Sequence, residues 1–231
     1  MSLASVAVFK DMRAGDLALL ERDALVLDPG NGATVFVQGD PADAVFAVTA
    51  GDGHVRIGAI DRQGKALMVE VFRAGEIFGE IGVIDGGTRT ASAVAEGQVR
   101  LVKIGAAAFL AGLAASPELG GALCRMMARR LRRTFELYQD AAFESLERRL
   151  ARQILYLGGR EGRQIGRGLR LSHRFRQADL ADLLGATTRS IITILNVWRA
   201  SDLVAYDTER ALLTIRDVAA LRSIAGIDRE Q

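Results

Sequence analysis

A glycine-rich segment, 78–93, places an acidic, a basic and a hydroxyl side chain at close spacing. The ionised carboxylate of Glu80 only accepts hydrogen bonds, which suits a sugar hydroxyl. Arg89 offers a planar fork of donors that matches a phosphate, and Thr90 adds a hydroxyl beside it. Gly79 permits close approach of the backbone to a ligand, and short helical turns offer N–H groups to an anion. The segment predicts a site for a sugar and a phosphate; a turn closed by a Glu80–Arg89 ion pair is the alternative.

A second segment, 177–198, combines two short helical patterns with a turn between them. Gly185 permits a sharp turn after the first helix, and Thr187 can cap the second. Six apolar residues at helical spacing are expected to pack inward: Leu180, Leu184, Ile191, Ile194, Leu195 and Trp198. The opposite face of the second helix is expected to enter a major groove of DNA, where Arg189 can pair with guanine. The expected DNA contacts are Arg176, Gln177, Thr187, Thr188, Arg189, Ile192, Thr193, Asn196 and Arg210.

The basic residues are concentrated toward the end of the chain. Residues 145–231 contain 15 Arg, no Lys and 10 acidic residues, a net charge of +5, whereas residues 1–144 contain 15 basic and 18 acidic residues, a net charge of −3. A predicted hairpin, 203–206 and 211–215, places Arg210 at its tip, where it can touch a phosphate as a wing. These features favour DNA binding; a helical pair with a solvated polar face is the alternative.

The elements around the first segment show a period of two. Short strand candidates lie at 35–37, 44–48, 54–57, 67–71 and 99–104, with Gly-containing turns at 51–53, 62–65 and 73–75. Many short strands at regular spacing predict a barrel or jelly-roll. At Ser116 the period changes to 3.6, and Ser116-Pro117 predicts the start of a helix that continues to about 144.

A heptad pattern follows this predicted helix. Spacings of four and three residues join six positions, Leu123, Met127, Arg130, Thr134, Leu137 and Ala141. Such a seam predicts pairing with another helix. Arg130 and Thr134 interrupt the seam with polar groups, which either fix its register or meet a polar ligand. A break near 143–145 precedes a helix predicted at 146–157, and the Gly-rich stretch 158–168 is predicted to be a loop.

Composition excludes several classes of protein. Cys124 is the single cysteine of the 231 residues, so neither a disulfide framework nor a cysteine-ligated iron–sulfur cluster is expected. The apolar runs are too short for a membrane span, and no signal peptide is evident, which predicts a cytoplasmic protein without a membrane partner. No phosphate loop or hydrolase motif is present, and His54 and His173 are isolated. We therefore expect no enzyme, no catalytic residue and no metal site.

Three stretches resemble the cyclic-AMP receptor protein/FNR (CRP/FNR) family of transcription regulators. They are 78–91, which is similar to the phosphate-binding cassette; 127–134, which is similar to the dimerisation helix; and 177–195, which is similar to the helix-turn-helix. The resemblance implies an α+β fold in three parts. They are a cyclic-nucleotide-binding double-stranded β-helix or jelly-roll (the β-roll) at 1–116, a dimerisation helix at 117–144 and a winged helix-turn-helix at 145–231.

The resemblance also implies roles for individual residues. Glu80 would bind the ribose 2′-hydroxyl, and Arg89 and Thr90 the cyclic phosphate, together with the backbone amides of Gly79 and Ala91. The base would be reached by two residues of the long helix, Thr134 and Arg130. Cyclic AMP is the favoured effector and cyclic GMP the second. The identity of the base stays open because two residues differ from those of the family's cyclic-AMP sensor. Thr90 replaces the Ser that follows the cassette arginine, and Phe135 replaces the Ser that follows the base-contacting Thr.

The resemblance implies a ligand-gated homodimer that binds a near-palindromic operator, with RNA polymerase as a further partner and no required cofactor beyond the effector. Two alternatives remain open. The same fold can respond to another effector, such as cyclic di-GMP, or to none. A cyclic-nucleotide module can also act on a protein partner without binding DNA.

Overall fold

The computed structural model describes residues 3–60, 66–166, 168–171 and 175–227. The turn predicted at 62–65 and His173 therefore lie outside the described residues. The chain divides into two compact units, Met1–Lys65 with Val69–Arg133 and Thr134–Gln231 with Ala66–Met68.

After a short 3-10 helix at Leu3–Ser5, the described elements are eight helices and twelve strands. The helices are α1 (Ala14–Arg22), α2 (Glu80–Asp85), α3 (Ala106–Ala115), α4 (Pro117–Phe143), α5 (Leu146–Glu161), α6 (Gln177–Leu184), α7 (Thr188–Ala200) and α8 (Val218–Ala225). The strands are β1 (Leu25–Leu27), β2 (Thr34–Phe36), β3 (Ala44–Ala50), β4 (His54–Ile60), β5 (Ala66–Phe72), β6 (Ile77–Phe78), β7 (Ser92–Glu96), β8 (Arg100–Gly105), β9 (Gly162–Ile165), β10 (Gly168–Leu171), β11 (Val204–Asp207) and β12 (Leu212–Ile215).

The first eight strands form two four-stranded sheets, in the orders β1-β8-β3-β6 and β2-β7-β4-β5. Strand β3 connects two hydrophobic clusters. Ala44, Phe46 and Val48 belong to a cluster with residues of β4 and β7, whereas Val45 and Ala47 belong to a cluster with residues of α3 and α4. Successive side chains of a strand point to opposite faces, so β3 is buried on both faces. The predicted β-roll is confirmed.

Helix α4 is anchored at its start. The Ser116 hydroxyl accepts a hydrogen bond from the amide of Leu119 at 3.3 Å, as an N-cap does. Leu119 and Leu123 are buried in the same cluster as Val45, and Met127 packs against that cluster. The beginning of the predicted heptad seam therefore packs against the β-roll, which corrects the expectation that it pairs with another helix.

A second stripe, displaced by one residue from the predicted seam, is the exposed apolar face of α4. The spacings again alternate four and three, and the six members of this outer stripe are exposed: Cys124, Ala128, Leu131, Phe135, Tyr138 and Ala142. Phe135 is 59% exposed and Tyr138 is 73% exposed. Only the first stripe was predicted from the sequence. Its beginning packs against the β-roll, whereas the outer stripe is left exposed.

The second unit contains a four-stranded sheet in the order β11-β12-β10-β9, packed with α5, α6, α7 and α8. Its core includes Leu150, Ile154, Leu195 and Trp198. The indole N–H of Trp198 donates to Glu147 Oε1 at 2.9 Å, which satisfies the buried polar atom. The hairpin β11–β12 follows the helix-turn-helix, so the predicted winged helix-turn-helix and the α+β class are confirmed.

The stretch predicted as a loop at 158–168 is instead the last turn of α5 and the hairpin β9–β10. Two of its glycines, Gly158 and Gly162, serve close packing. A Cβ at Gly162 would lie 2.6 Å from the Leu169 side chain, and a Cβ at Gly158 would lie 2.8 Å from it. Glycine density alone does not distinguish a flexible loop from a helix that a strand approaches closely.

Arginines of α5 join three parts of the second unit. Arg152 forms an ion pair with Asp140, a second one with Glu144 at 3.1 Å, and donates to the carbonyl of Ala225 at 2.8 Å. Arg148 also pairs with Glu144 at 2.9 Å. These contacts connect the end of α4 to the beginning of α5 and the end of α8 across the predicted break at 143–145.

Within the described residues, no single helix has the length and apolar composition to cross a membrane. Two bent pairs, α3 with α4 and α6 with α7, pass that test only together, as helices from protein cores also do.

Candidate functional site

The predicted cassette is formed where β6 ends and α2 begins. Gly79 caps α2 with a φ of 78°, a left-handed conformation that favours glycine. A Cβ there would lie 2.8 Å from Arg89 Nη1, and a Cβ at Gly82 would lie 2.6 Å from the carbonyl oxygen of Thr88. The glycines therefore allow α2 and the segment around Arg89 to pack against each other.

Arg89 is 3% exposed and fixed from several sides. Its Nη1 donates to the carbonyl of Gly79 at 2.8 Å, and its Nη2 donates to Asp43 Oδ1 at 3.0 Å. The guanidinium carbon lies 4.3 Å from the ring centre of Phe36. Burial lowers the pKa of Arg89, and Asp43 opposes that shift. Arginine remains charged in proteins, so this side chain provides a preset cation.

Asp43 is shared between two cations. Its second carboxylate oxygen accepts from Lys103 Nζ at 2.7 Å, and this hydrogen bond lowers the pKa of Asp43. If an anion replaced Asp43 at Arg89, the Asp43 carboxylate would therefore still be paired with Lys103. Asp43 and Lys103 were not predicted, because no local motif connects Asp43 to a residue 46 positions later.

Glu80, the first residue of α2, is 1% exposed. Its Oε1 accepts from Arg130 Nη1 at 2.5 Å, while Arg130 Nη2 donates to the carbonyl of Ile77 at 2.7 Å. The Arg130 guanidinium carbon also lies 4.7 Å from the ring centre of Phe72. The ion-pair partner of Glu80 is therefore Arg130 of α4, and the alternative of a Glu80–Arg89 pair is wrong.

We call Gly79, Glu80, Arg89 and Arg130 the polar cluster. Two of its buried atoms, Glu80 Oε2 and Arg89 Nε, have no hydrogen-bond partner among the described residues. An unpaired acceptor and an unpaired donor are both costly inside a protein. The cluster can therefore receive one hydroxyl donor and one anionic acceptor.

The remaining predicted ligand contacts differ in their surroundings. Thr90 is exposed directly after Arg89, and Ala91 is buried. Thr134 is exposed and lies one helical turn after Arg130 on α4, where the second compact unit begins. Within the described residues, no three or more His, Cys, Asp or Glu side chains form a group that can hold a metal ion.

The second candidate site is the pair α6 and α7. Gly185 ends α6 with a φ of 60°, and the Thr187 hydroxyl caps α7 by accepting from the amide of Ser190 at 3.2 Å. Five of the six residues predicted to pack inward are buried, namely Leu180, Leu184, Ile191, Leu195 and Trp198, and Ile194 is partly buried.

The outer face of α7, defined by Thr188, Arg189, Ile192, Thr193 and Asn196, points away from this core. Four of its members are exposed and Ile192 is partly exposed. The guanidinium of Arg189 has no hydrogen bond or ion pair within the described part of the chain. A helix face of this kind leaves donors available to the edges of bases.

The other predicted DNA contacts lie on neighbouring elements. Arg176 precedes α6, and its guanidinium pairs with Asp179 at 3.0 Å, while Gln177 is partly buried at the first position of α6. Arg210 is exposed at the tip of the β11–β12 hairpin, where Asp207 accepts from its amide at 3.0 Å. Arg210 therefore stands on an ordered turn.

Two protein-family models match the chain. Residues 30–116 match the family model of the cyclic nucleotide-binding domain, and residues 148–224 match that of the Crp-like helix-turn-helix domain. The chain is 33% identical over 189 residues to a CRP-like cAMP-activated global transcriptional regulator of Mycobacterium tuberculosis, covering 82% of this chain and 84% of the relative.

Two further proteins are similar over most of their length. A cyclic AMP receptor protein of Thermus thermophilus is 28% identical, with 84% of this chain and 85% of the relative covered. The solved structure of the c-di-GMP responsive global regulator CLP of Xanthomonas campestris has a TM-score of 0.75 at 22% identity, and covers 89% of this chain and 100% of that one. From the matched domains and the Mycobacterium relative, the chain belongs to the CRP/FNR family of transcription regulators.

Proposed function

We propose that the protein is a transcription regulator whose sequence-specific binding to DNA is controlled by a cyclic mononucleotide. Glu80 binds the ribose 2′-hydroxyl, and Arg89 and Thr90 bind the cyclic phosphate with the amides of Gly79 and Ala91. Thr134 and Arg130 contact the base. Cyclic AMP is the favoured effector, supported by the names of the Mycobacterium and Thermus relatives, and cyclic GMP is the second candidate.

The observation that carries this proposal is the pair of unpartnered buried atoms in the polar cluster. Glu80 Oε2 can accept a hydrogen bond, and Arg89 Nε can donate one. A cyclic nucleotide supplies a ribose hydroxyl as donor and a phosphate oxygen as acceptor. Ligand binding would thus satisfy both atoms.

The proposal assigns three parts to the chain: a cyclic-nucleotide-binding domain at 1–116, a dimerisation helix at 117–144 and a DNA-binding domain at 145–231. The outer stripe of α4 is the proposed dimer contact. Its partner is a second copy of the chain, because the alternation of four and three residues is the repeat by which one helix packs on another. A DNA partner also implies a cytoplasmic location.

The two-fold symmetry of the proposed dimer determines the form of the operator. A two-fold dimer presents two copies of α7 to half-sites about 34 Å apart, so the operator is a near-palindrome. The outer face of α7 enters the major groove, and Arg176, Gln177, Thr187 and Arg210 contact DNA beside it. RNA polymerase is the proposed further partner of the DNA-bound dimer.

Arg130 provides the coupling. It lies on α4 and donates to Glu80, so a ligand that approaches Glu80 also changes the surroundings of the helix that carries the outer stripe. The ligand shifts the population toward the DNA-binding state only as far as it binds that state more tightly. The polar cluster therefore contributes both to affinity and to the choice between states.

Thermal unfolding of the full-length protein tests the effector, with cyclic AMP, cyclic GMP, cyclic di-GMP or no ligand. A ligand present at about 100 times its dissociation constant adds about 2.7 kcal/mol to the free energy of unfolding. We expect this increase with one cyclic mononucleotide and its loss in Arg89→Ala. Arg100→Ala is the matched control, because Arg100 forms an exposed pair with Asp28 on the same β-roll.

A stabilising effect of cyclic di-GMP alone would replace the mononucleotide as the effector, and the protein would then be c-di-GMP responsive like its Xanthomonas neighbour. Retention of the full ligand effect in Arg89→Ala would contradict the assigned site. Absence of salt-dependent binding to DNA would favour a module that acts on a protein partner, because neutralising phosphates makes DNA affinity fall with salt.

A further inference from the structure

The hydroxyl of Thr193, on the outer face of α7, is already used within its own helix. Its Oγ1 donates to the carbonyl oxygen of Arg189 at 3.0 Å, one turn earlier. A threonine hydroxyl has one proton to donate, so this bond removes the donor with which Thr193 would otherwise read a base. The exposed side chain then offers DNA its methyl group and the acceptor lone pairs of Oγ1.

Arg189 has the opposite character. Its side chain is exposed at the second position of α7, and among the described residues its guanidinium has neither a hydrogen bond nor an ion pair. A free guanidinium near the N-terminus of such a helix matches the O6 and N7 acceptors of guanine. One helical turn, about 5.4 Å, separates it from Thr193, which corresponds to between one and two base-pair steps of about 3.4 Å.

We propose that Thr193 is a specificity residue that recognises thymine through its methyl group, close to a guanine read by Arg189. The thymine C5-methyl is the apolar group on the major-groove edge of the bases, and a threonine methyl is one of its usual contacts. Each half-site therefore contains a guanine and, within two base pairs, a thymine read by packing. This inference rests on the proposed DNA-binding function and specifies what that surface reads.

The experiment starts from the full-length protein and a library of random duplexes, with and without saturating cyclic AMP. The enriched duplex is then resynthesised with deoxyuridine in place of one thymine per half-site at a time, which removes only the C5-methyl. For the wild-type protein, we expect one such position to lower affinity by about fourfold per half-site, the effect of one buried carbon group.

Two variants separate the methyl group of Thr193 from its hydroxyl. Thr193→Val keeps the methyl and removes the hydroxyl, and we expect it to retain the sensitivity of the wild type to deoxyuridine. Thr193→Ser keeps the hydroxyl and removes the methyl, and we expect about fourfold weaker binding per half-site, with no further loss on the deoxyuridine duplex. Thermal unfolding of each variant verifies that α7 remains folded.

Some results would overturn the inference. A loss of affinity in Thr193→Val without one in Thr193→Ser would assign the contact to the hydroxyl, and a selected duplex without a deoxyuridine-sensitive position would remove the methyl contact. In both cases the proposed DNA-binding function stands, because a sequence has been selected. Failure to enrich any sequence, with or without cyclic AMP, would overturn the inference and the sequence-specific function together.

Discussion

In the polar cluster, Glu80 and Arg89 are almost fully buried, and both are already bound by other groups of the protein. On the outer face of α7, Arg189 is exposed and without such a partner in the described part of the chain, and Thr193 bonds only to its own helix. A buried charge that loses its partner carries a large desolvation cost, whereas an exposed one loses only its ligand contact. The fold therefore depends on the first site and tolerates changes at the second.

The largest effect that sharpens this contrast is expected at Arg130. Arg130→Ala leaves the Glu80 carboxylate buried without its ion-pair partner, and we expect a loss of about 3 kcal/mol in the free energy of unfolding without ligand. The double variant Glu80→Gln with Arg130→Ala removes the stranded charge and is expected to recover part of that loss. Urea denaturation measures both; an Arg130→Ala variant as stable as the wild type would contradict the assigned role of this ion pair.

A second prediction concerns acid stability of the β-roll. Glu96 accepts from His54 at 3.0 Å and from Arg56 at 2.8 Å, and these contacts, His54 first, lower its pKa from 4.5 to about 2. A carboxylate whose pKa is lower in the folded state stabilises the fold above its unfolded pKa. We expect a contribution of about 2 kcal/mol at neutral pH, lost as the pH falls from about 5 to about 2.

Glu96→Gln tests this prediction directly. The variant is expected to be less stable at neutral pH and to show a flatter decline between pH 5 and pH 2, because no proton binds at residue 96 on unfolding. Denaturation midpoints across this range measure the slope. A slope in Glu96→Gln equal to that of the wild type would place the acid sensitivity on other carboxylates.

The two regions also differ in how far the sequence predicted them. Local spacing predicted the helix-turn-helix, because its cap at Thr187, its turn at Gly185 and its inward face all lie within one short segment. The same holds for the cap at Ser116. Where a property depends on neighbouring residues in the chain, the pattern of residue types is sufficient.

Properties that depend on distant residues were not predicted. The Asp43 carboxylate that holds Arg89, and the Glu80–Arg130 pair, join positions 46 and 50 residues apart. The choice between the two stripes of α4 also depends on which one the β-roll covers. The Gly-rich stretch at 158–168 became helix and hairpin because Leu169 fills the space that Gly158 and Gly162 leave open.

The smallest expected effects on the stability of the fold lie at the DNA surface, where the consequence of a substitution is instead seen by comparing binding to different DNA sequences. Arg189→Ala is expected to cost about 1–3 kcal/mol per half-site on the selected operator, and less on unrelated DNA, because a bidentate contact to guanine is lost. Arg210→Ala is the matched comparison: Arg210 stands at the tip of the hairpin, and its loss is expected to weaken binding to all sequences alike and to reduce the salt dependence. Equilibrium binding at several salt concentrations, on the operator and on unrelated duplexes, measures both variants. Equal losses on both kinds of DNA for Arg189→Ala would assign Arg189 to phosphate, and the outer face of α7 would then need another residue to recognise guanine.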